Sequence, residues 1–341
     1  MAVRPELKKQ IEELYRKHPE EARDSFGEDP FEVKNILKYW VFSEKPEFHV
    51  IPTDTINIHI DKDALLRSGI MFPKTIRHLK GEDLKDAIPD KLYIPLTDIR
   101  MLTKVDLLML EMLANCNWER PLYLAISVGS VSKLKFDNYF VQEGLAFRFT
   151  PFDYKKWGDV GENRLYAVDV ERLYDNVMNR YKYGGLDTPG LYLDETTLRT
   201  CWYHRRLFAQ LAKELIAQGD NERAKKVLAY AEQVIPGYNV PETHESGSYD
   251  IATAYATLGE KTKAVTLAVH LIAEAEDYIN WAFSLKGNRI EMVRNDCIYK
   301  FWQWNQYNEL LKKIDGEKYK ESNRQFEEKY ALFAPTMSYK N

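Results

Sequence analysis

The stretch Phe208–Pro236, FAQLAKELIAQGDNERAKKVLAYAEQVIP, reads as two short helices joined by a Gly-Asp turn. Phe208, Leu211, Ala212 and Leu215 share one face of the first helix; Ala224, Leu228 and Ala231 share one face of the second. Gly219 suits the left-handed backbone that ends a helix, and Pro236 prevents the second helix from continuing. Counted with Arg205 as position one, these residues occupy the defining places of a tetratricopeptide unit. Alanines at 212 and 224 allow the two helices to approach to about 8–10 Å.

Counting again from Glu245 puts Ile251, Ala252, Tyr255, Gly259, Ala264, Ala268 and Leu271 in the same places, forty residues on (219 to 259, 224 to 264). The standard unit is about 34 residues, so about six extra lie in the connecting loop GYNVPETHES. The opening stretch is therefore expected to be one unit of a scaffold. Helices over 277–286, 289–314 and 316–333, rich in aromatics, are expected to cap the stack.

Towards the N-terminus the pattern changes. Helices are predicted over 5–17 and 31–42, joined by the acidic linker HPEEARDSFGEDP. Ile56, Ile58 and Ile60 alternate with Asn57 and His59, the period of a half-buried strand. Asp61 is placed to cap a short helix that Gly69 stops, and 89–97 reads as an edge strand because of its prolines. Thr103 with Asp106 three residues on predicts a well-capped helix over 103–116. Apolar residues 122–128 predict a buried strand, with 143–152 and 164–170 as partners. The expected class is α+β: a mixed α/β module, then an all-α tetratricopeptide-like repeat domain. Segments are drawn at 1–45 (helical), 46–190 (α/β module) and 191–335 (repeats with capping helices).

Of 341 residues, 45% are hydrophobic and 29% charged, as in an ordinary folded chain. A net charge of −4 gives no concentrated basic surface for nucleic acid. Cys116, Cys201 and Cys297 are far apart and odd in number; they read as buried small hydrophobes rather than a disulfide or zinc framework. The most apolar runs, 105–113 and 122–128, fall short of the roughly 20 residues of a spanning helix. No nucleophile elbow, phosphate loop or dinucleotide fingerprint is present, and the seven histidines form no ligand spacing. Asp61-Lys62-Asp63 resembles a metal-holding D-x-D triplet, but acids at a helix start serve the dipole and the free amides. No catalytic residue, metal ligand or cofactor is expected from the residues.

Four blocks carry the most distinctive text: NWERPLYLAISVG (117–129), NYFVQEGLAFRFTP (138–151), YDNVMNRYKYGGL (174–186) and YLDETTLRTCW (192–202). In this order, followed by helical repeats, they resemble the C-terminal soluble region of a multi-spanning membrane-protein family common in Bacteroidota. That family is similar to the transmembrane O-mannosyltransferase-like proteins of GT-C type. The resemblance, over about residues 45–335, implies a tail whose own membrane region is its partner, on the periplasmic face of a bacterial inner membrane. It carries over no catalytic residue.

The binding candidates are of two kinds. On the predicted concave face of the repeats, Arg206, Lys213, Tyr249 and Thr253 suit an acidic or extended peptide. In the α/β module, Trp118 flanks Arg120 and Pro121, and Glu143 is placed to pair with Arg148. The expected function is a non-catalytic accessory region that recognises or positions acceptor protein or glycan. Alternatives are a carbohydrate-active enzyme domain with its site near Trp118, Glu143 and Arg148, or a purely structural assembly domain.

Overall fold

The structure is a computed structural model describing residues 1–128, 134–161, 166–285 and 289–337. Residues 164 and 165, the start of the strand anticipated at 164–170, lie outside that set. The chain divides into two compact units, Met1–Asp169 and Val170–Asn341.

In the first unit, β1 (Ala2–Val3) leads into α1 (Leu7–Lys17), α2 (Pro19–Phe26) and α3 (Val33–Ile36), which runs on as a π-helical turn over Leu37–Val41. The segment read as a linker is thus partly a helix. Pro19 sits at its first position, where a missing N–H costs nothing, and Glu20 and Glu21 fill its first turn. Its apolar anchors, the fully buried Ala22 and the half-buried Phe26, are too weak a periodic signal to reveal it. Trp40, on the π-helical turn, stacks on Phe26 at 5.2 Å.

Next come β2 (Val50–Ile51), which pairs in parallel with β1, then β3 (Thr55–His59), α4 (Lys62–Arg67), α5 (Gly81–Ala87) and β4 (Lys91–Pro95). β3 and β4 form an antiparallel ladder that pairs Ile56 with Ile94 and Ile58 with Leu92. β3 is covered on both faces at its centre, not half-buried: Asn57 is 6% exposed, and its N–H donates to the Phe31 carbonyl at 2.9 Å. α6 (Lys104–Asn115) starts with a complete capping box. The Thr103 N–H donates to the Asp106 carboxylate at 2.7 Å, and the Asp106 N–H donates back to the Thr103 hydroxyl.

The last four strands are β5 (Tyr123–Ala125), β6 (Phe140–Gln142), β7 (Ala146–Phe149) and β8 (Ala167–Val168), ordered β5-β7-β6-β8. β6 and β8 are parallel, the other pairs antiparallel. The expectation of a buried strand at β5 fails. It is three residues long and lies at the edge of its sheet, and Tyr123 is 48% exposed.

The second unit is helical. α7 (Val170–Asp175) continues as a π-helical turn to Arg180. Then follow α8 (Glu195–Ala217), α9 (Asn221–Val234), α10 (Ser248–Thr257), α11 (Lys261–Ser284), α12 (Arg289–Met292), α13 (Arg294–Ile314) and α14 (Gly316–Met337). α8 with α9, and α10 with α11, are hairpins closed at Gly219 and Gly259, both left-handed (φ 80° and 81°). Asp220 caps α9 by accepting the Arg223 N–H at 3.1 Å. Ala212, Ala224, Ala252 and Ala264 are all fully buried. The helix expected at 277–286 is not separate, because α11 runs unbroken for 24 residues and buries Ala275, Ile279 and Ala282 along one stripe. Trp304, Tyr307 and Phe333 fill the core between α11, α13 and α14.

The connection between the hairpins is held from within. The Arg205 guanidinium, 3% exposed, donates to the carbonyls of Pro241 (2.8 Å), Ile235 (3.0 Å) and Val240, and to the Ser246 hydroxyl (3.3 Å). A planar fork meets several acceptors at once, which a lysine ammonium on a flexible stem cannot. Arg205→Lys should therefore cost about 2–4 kcal/mol by leaving buried carbonyls unanswered. Urea denaturation reads this as a lower midpoint at unchanged slope; a midpoint equal to that of the parent chain would refute it.

Candidate functional site

In the first unit a cleft of about 670 Å³ opens beside Lys85 of α5, where five further pieces of chain meet. They are the loop around Asp29, the start of α3 with Lys34, the end of β3 with the cap Asp61, the start of β4 with Lys91, and the turn that leaves α6. That turn is backbone of a rare kind. Asn117 and Trp118 both have positive φ (47° and 62°), and no other non-glycine among the described residues does. Successive left-handed residues cost about 1–3 kcal/mol each and persist only where their surroundings over-determine them.

Trp118 supplies that determination. Its side chain is 7% exposed, it stacks over Phe149 at 6.4 Å, and its Nε1–H donates to the His59 carbonyl at 2.7 Å. The indole thus ties the exit of α6 to the end of β3. The turn turns Asn117 outward, where its side-chain oxygen accepts from the Lys34 ammonium at 2.9 Å.

Three of the four lysines that line the cleft are paired with its acids. Lys62 meets Asp90 at 2.8 Å, Lys85 meets Asp63 at 2.7 Å, and Lys91 meets Asp29. Hydrogen bonds from Lys85 and Lys62 hold the Asp63 and Asp90 carboxyls below their usual range. For Asp29 burial pushes upward, but the hydrogen bonds from Lys91, the Phe31 N–H and Asn57 together outweigh it and leave the carboxyl lowered. Asp61 spends its side chain on the Ala64 N–H at 2.9 Å, so the two acids of the D-x-D triplet do not converge. Among the described residues no three His, Cys, Asp or Glu side chains are grouped to hold a metal ion.

Residues 6–171 match the family described as TMEM260-associated domain 2. The domain is tied to a membrane-protein family. Every residue of the cleft lies inside the matched segment, and α8 to α14 lie beyond it. No curated protein and no solved structure matches the chain. Among the described residues no helix is long and apolar enough to cross a membrane.

The candidate residues named from the sequence are placed as follows. Glu143 and Arg148 pair at 3.6 Å, both nearly fully buried, and Arg148 also donates to the Ser68 carbonyl at 2.9 Å. The Tyr123 hydroxyl donates to Glu143 at 2.8 Å. Trp118 and Arg148 line the same small void, and Glu143 reaches it through Arg148; Trp118 also lines the cleft, whereas Glu143 and Arg148 do not. In the second unit, Arg206 is exposed and lies over the Tyr203 ring at 4.8 Å, and Lys213 sits 3.9 Å from Asp250. Tyr249 and Thr253 are half-buried, with Tyr249 against Tyr307 at 5.5 Å. Ala209 and Ser246, each three residues from one of these candidates, are buried.

Sequence reasoning passed over Asp29, Lys34 and Lys91 as ordinary surface charges, since nothing local in the chain shows that they share one cleft. The Asn-Trp pair directly after a helix was the available signal.

Glycine adopts positive φ without strain, so Asn117→Gly should stabilise the chain by about 0.5–1 kcal/mol, whereas Trp118→Ala should cost about 3–5 kcal/mol. Both are read by denaturant titration, and a destabilised Asn117→Gly chain would count against the strained turn. Because the Asp29 carboxyl is lowered on folding, its contribution is complete above the unfolded value near pH 4 and is lost as pH falls through the folded one. Asp29→Asn should therefore flatten this part of the acid limb of a stability–pH curve.

Proposed function

We propose that this chain is a non-catalytic, extracytoplasmic accessory region of a membrane glycosyltransferase-like protein, seating acceptor protein or glycan in the cleft of its first unit. The observation that carries this reading is the state of the cleft's acids. Six acidic side chains line it; Asp29, Asp63 and Asp90 are bound to lysines and lowered, and Asp61 is a helix cap. A general acid needs the opposite, a carboxyl raised towards neutrality by burial without a cation. Glu143, the acid favoured by the enzyme alternative, is already engaged by Arg148 and Tyr123.

A wide cleft lined by six acidic side chains and four lysines, three of them already paired with acids, suits a polar, extended ligand rather than a strongly anionic one. The order of the four sequence blocks supports kinship with the Bacteroidota family and a periplasmic position. The two hairpins support a tetratricopeptide-like second unit, through the forty-residue register of Gly219 with Gly259 and the buried alanine pairs.

The test is binding of Ser/Thr-rich peptides, plain and mannosylated, to the full chain. Lys34→Ala combined with Lys91→Ala should weaken binding about tenfold or more, while Arg206→Ala with Lys213→Ala should leave it unchanged. Glycosyl transfer by this chain alone, or binding that survives the cleft variant, would overturn the proposal.

A further inference from the structure

On α13, Tyr299 and Trp302 lie one helical turn apart with their rings stacked at 5.6 Å and 12°. They stay 42% and 48% exposed. Both meet the ring of His244 edge-on, at 6.0 and 5.3 Å. His244 is fixed from behind: its Nδ1 shares a hydrogen with the Tyr307 hydroxyl at 2.9 Å, and Tyr249 packs beside it at 6.0 Å. Tyr307 is fully buried, so this aromatic group is anchored in the core and open on its outer side.

Polar groups of both kinds flank the rings. Gln303 donates to Glu245 at 3.0 Å, and the Lys300 ammonium lies 3.6 Å from Glu274. Burial lowers the His244 pKa, which keeps the ring neutral, while Glu245, Lys300 and Asp250 act on it with opposing signs. Carboxylates outnumber the one ammonium, so the face disfavours an anionic ligand.

The geometry points to a second binding face, made by Trp302 and Tyr299 with Glu245, Lys300 and Glu274, for a neutral pyranose glycan. A pyranose has an apolar C–H face that covers an aromatic ring, and hydroxyls that both donate to carboxylates and accept from an ammonium group. Other ligands fit less well. A quaternary ammonium needs an empty aromatic box, and here His244 fills the space between the rings. A partner helix needs a continuous apolar stripe, and exposed Asn295, Asn305 and Glu309 interrupt α13. This face uses none of the cleft residues, so it stands or falls independently of the reading above.

Saturation-transfer NMR and tryptophan-fluorescence titration of the full chain with mannohexaose, cellohexaose and maltohexaose would test it, with oligogalacturonate as the charged comparison. At least one neutral oligosaccharide should bind. Trp302→Ala should weaken that binding at least about tenfold, a loss of about 1.4 kcal/mol, while leaving the unfolding midpoint unchanged. Trp302→Phe should retain most of the affinity. Trp281→Ala, at an equally exposed tryptophan on α11, should have no effect. Absence of binding to all three neutral sugars, preference for oligogalacturonate, or an equal loss on Trp281→Ala would overturn the assignment.

Discussion

The first unit depends on one hydrogen bond and the ring that makes it. By donating to the His59 carbonyl, the Trp118 indole pins a helix exit onto the end of a strand and forces two residues into the left-handed region. The cleft exists because of that constraint: the chain leaves α6 in a direction that a relaxed turn would not take, and Asn117 comes to face Lys34. Strain in the backbone is held by burial of a large aromatic side chain, an exchange that proteins make where a particular surface shape has to persist.

The helical unit solves a different problem. Its hairpins come close because alanines meet at their crossings, and the apolar contact so gained needs little side-chain ordering. At the far end Trp304 and Tyr307 fill wider gaps between α11, α13 and α14. The Trp304 Nε1–H donates to Ser322 at 2.8 Å, so even the largest buried ring leaves its polar atom satisfied.

What was legible in the sequence followed local periodicity and capping. The α6 capping box, the Asp61 cap, the Gly219 and Gly259 turns and the buried alanines could be read directly, since each depends on residues within a few positions. All three cysteines are free and buried, which their spacing also indicated. The α2 helix was hidden by its acids, and β5 was mistaken for a core strand because apolar composition does not reveal which strand ends a sheet. The cleft was invisible for a deeper reason. It joins side chains from 29 to 119 that only the tertiary fold collects, and their charges look like solvent-facing pairs until they are seen to share one hollow.

The Arg205 clamp gives the forty-residue pitch of the hairpins a cause other than helix length. Its guanidinium reads out main-chain carbonyls at 235, 240 and 241 and a hydroxyl at 246, so the connecting segment is gauged rather than slack. Gly247 closes the gauge, since a methyl group there would come within 2.9 Å of the Arg206 side chain. Trimming this loop to the common repeat length would not tighten the stack. It would strip a buried cation of its solvation shell of carbonyl oxygens, and the two hairpins would lose the ruler that sets their spacing.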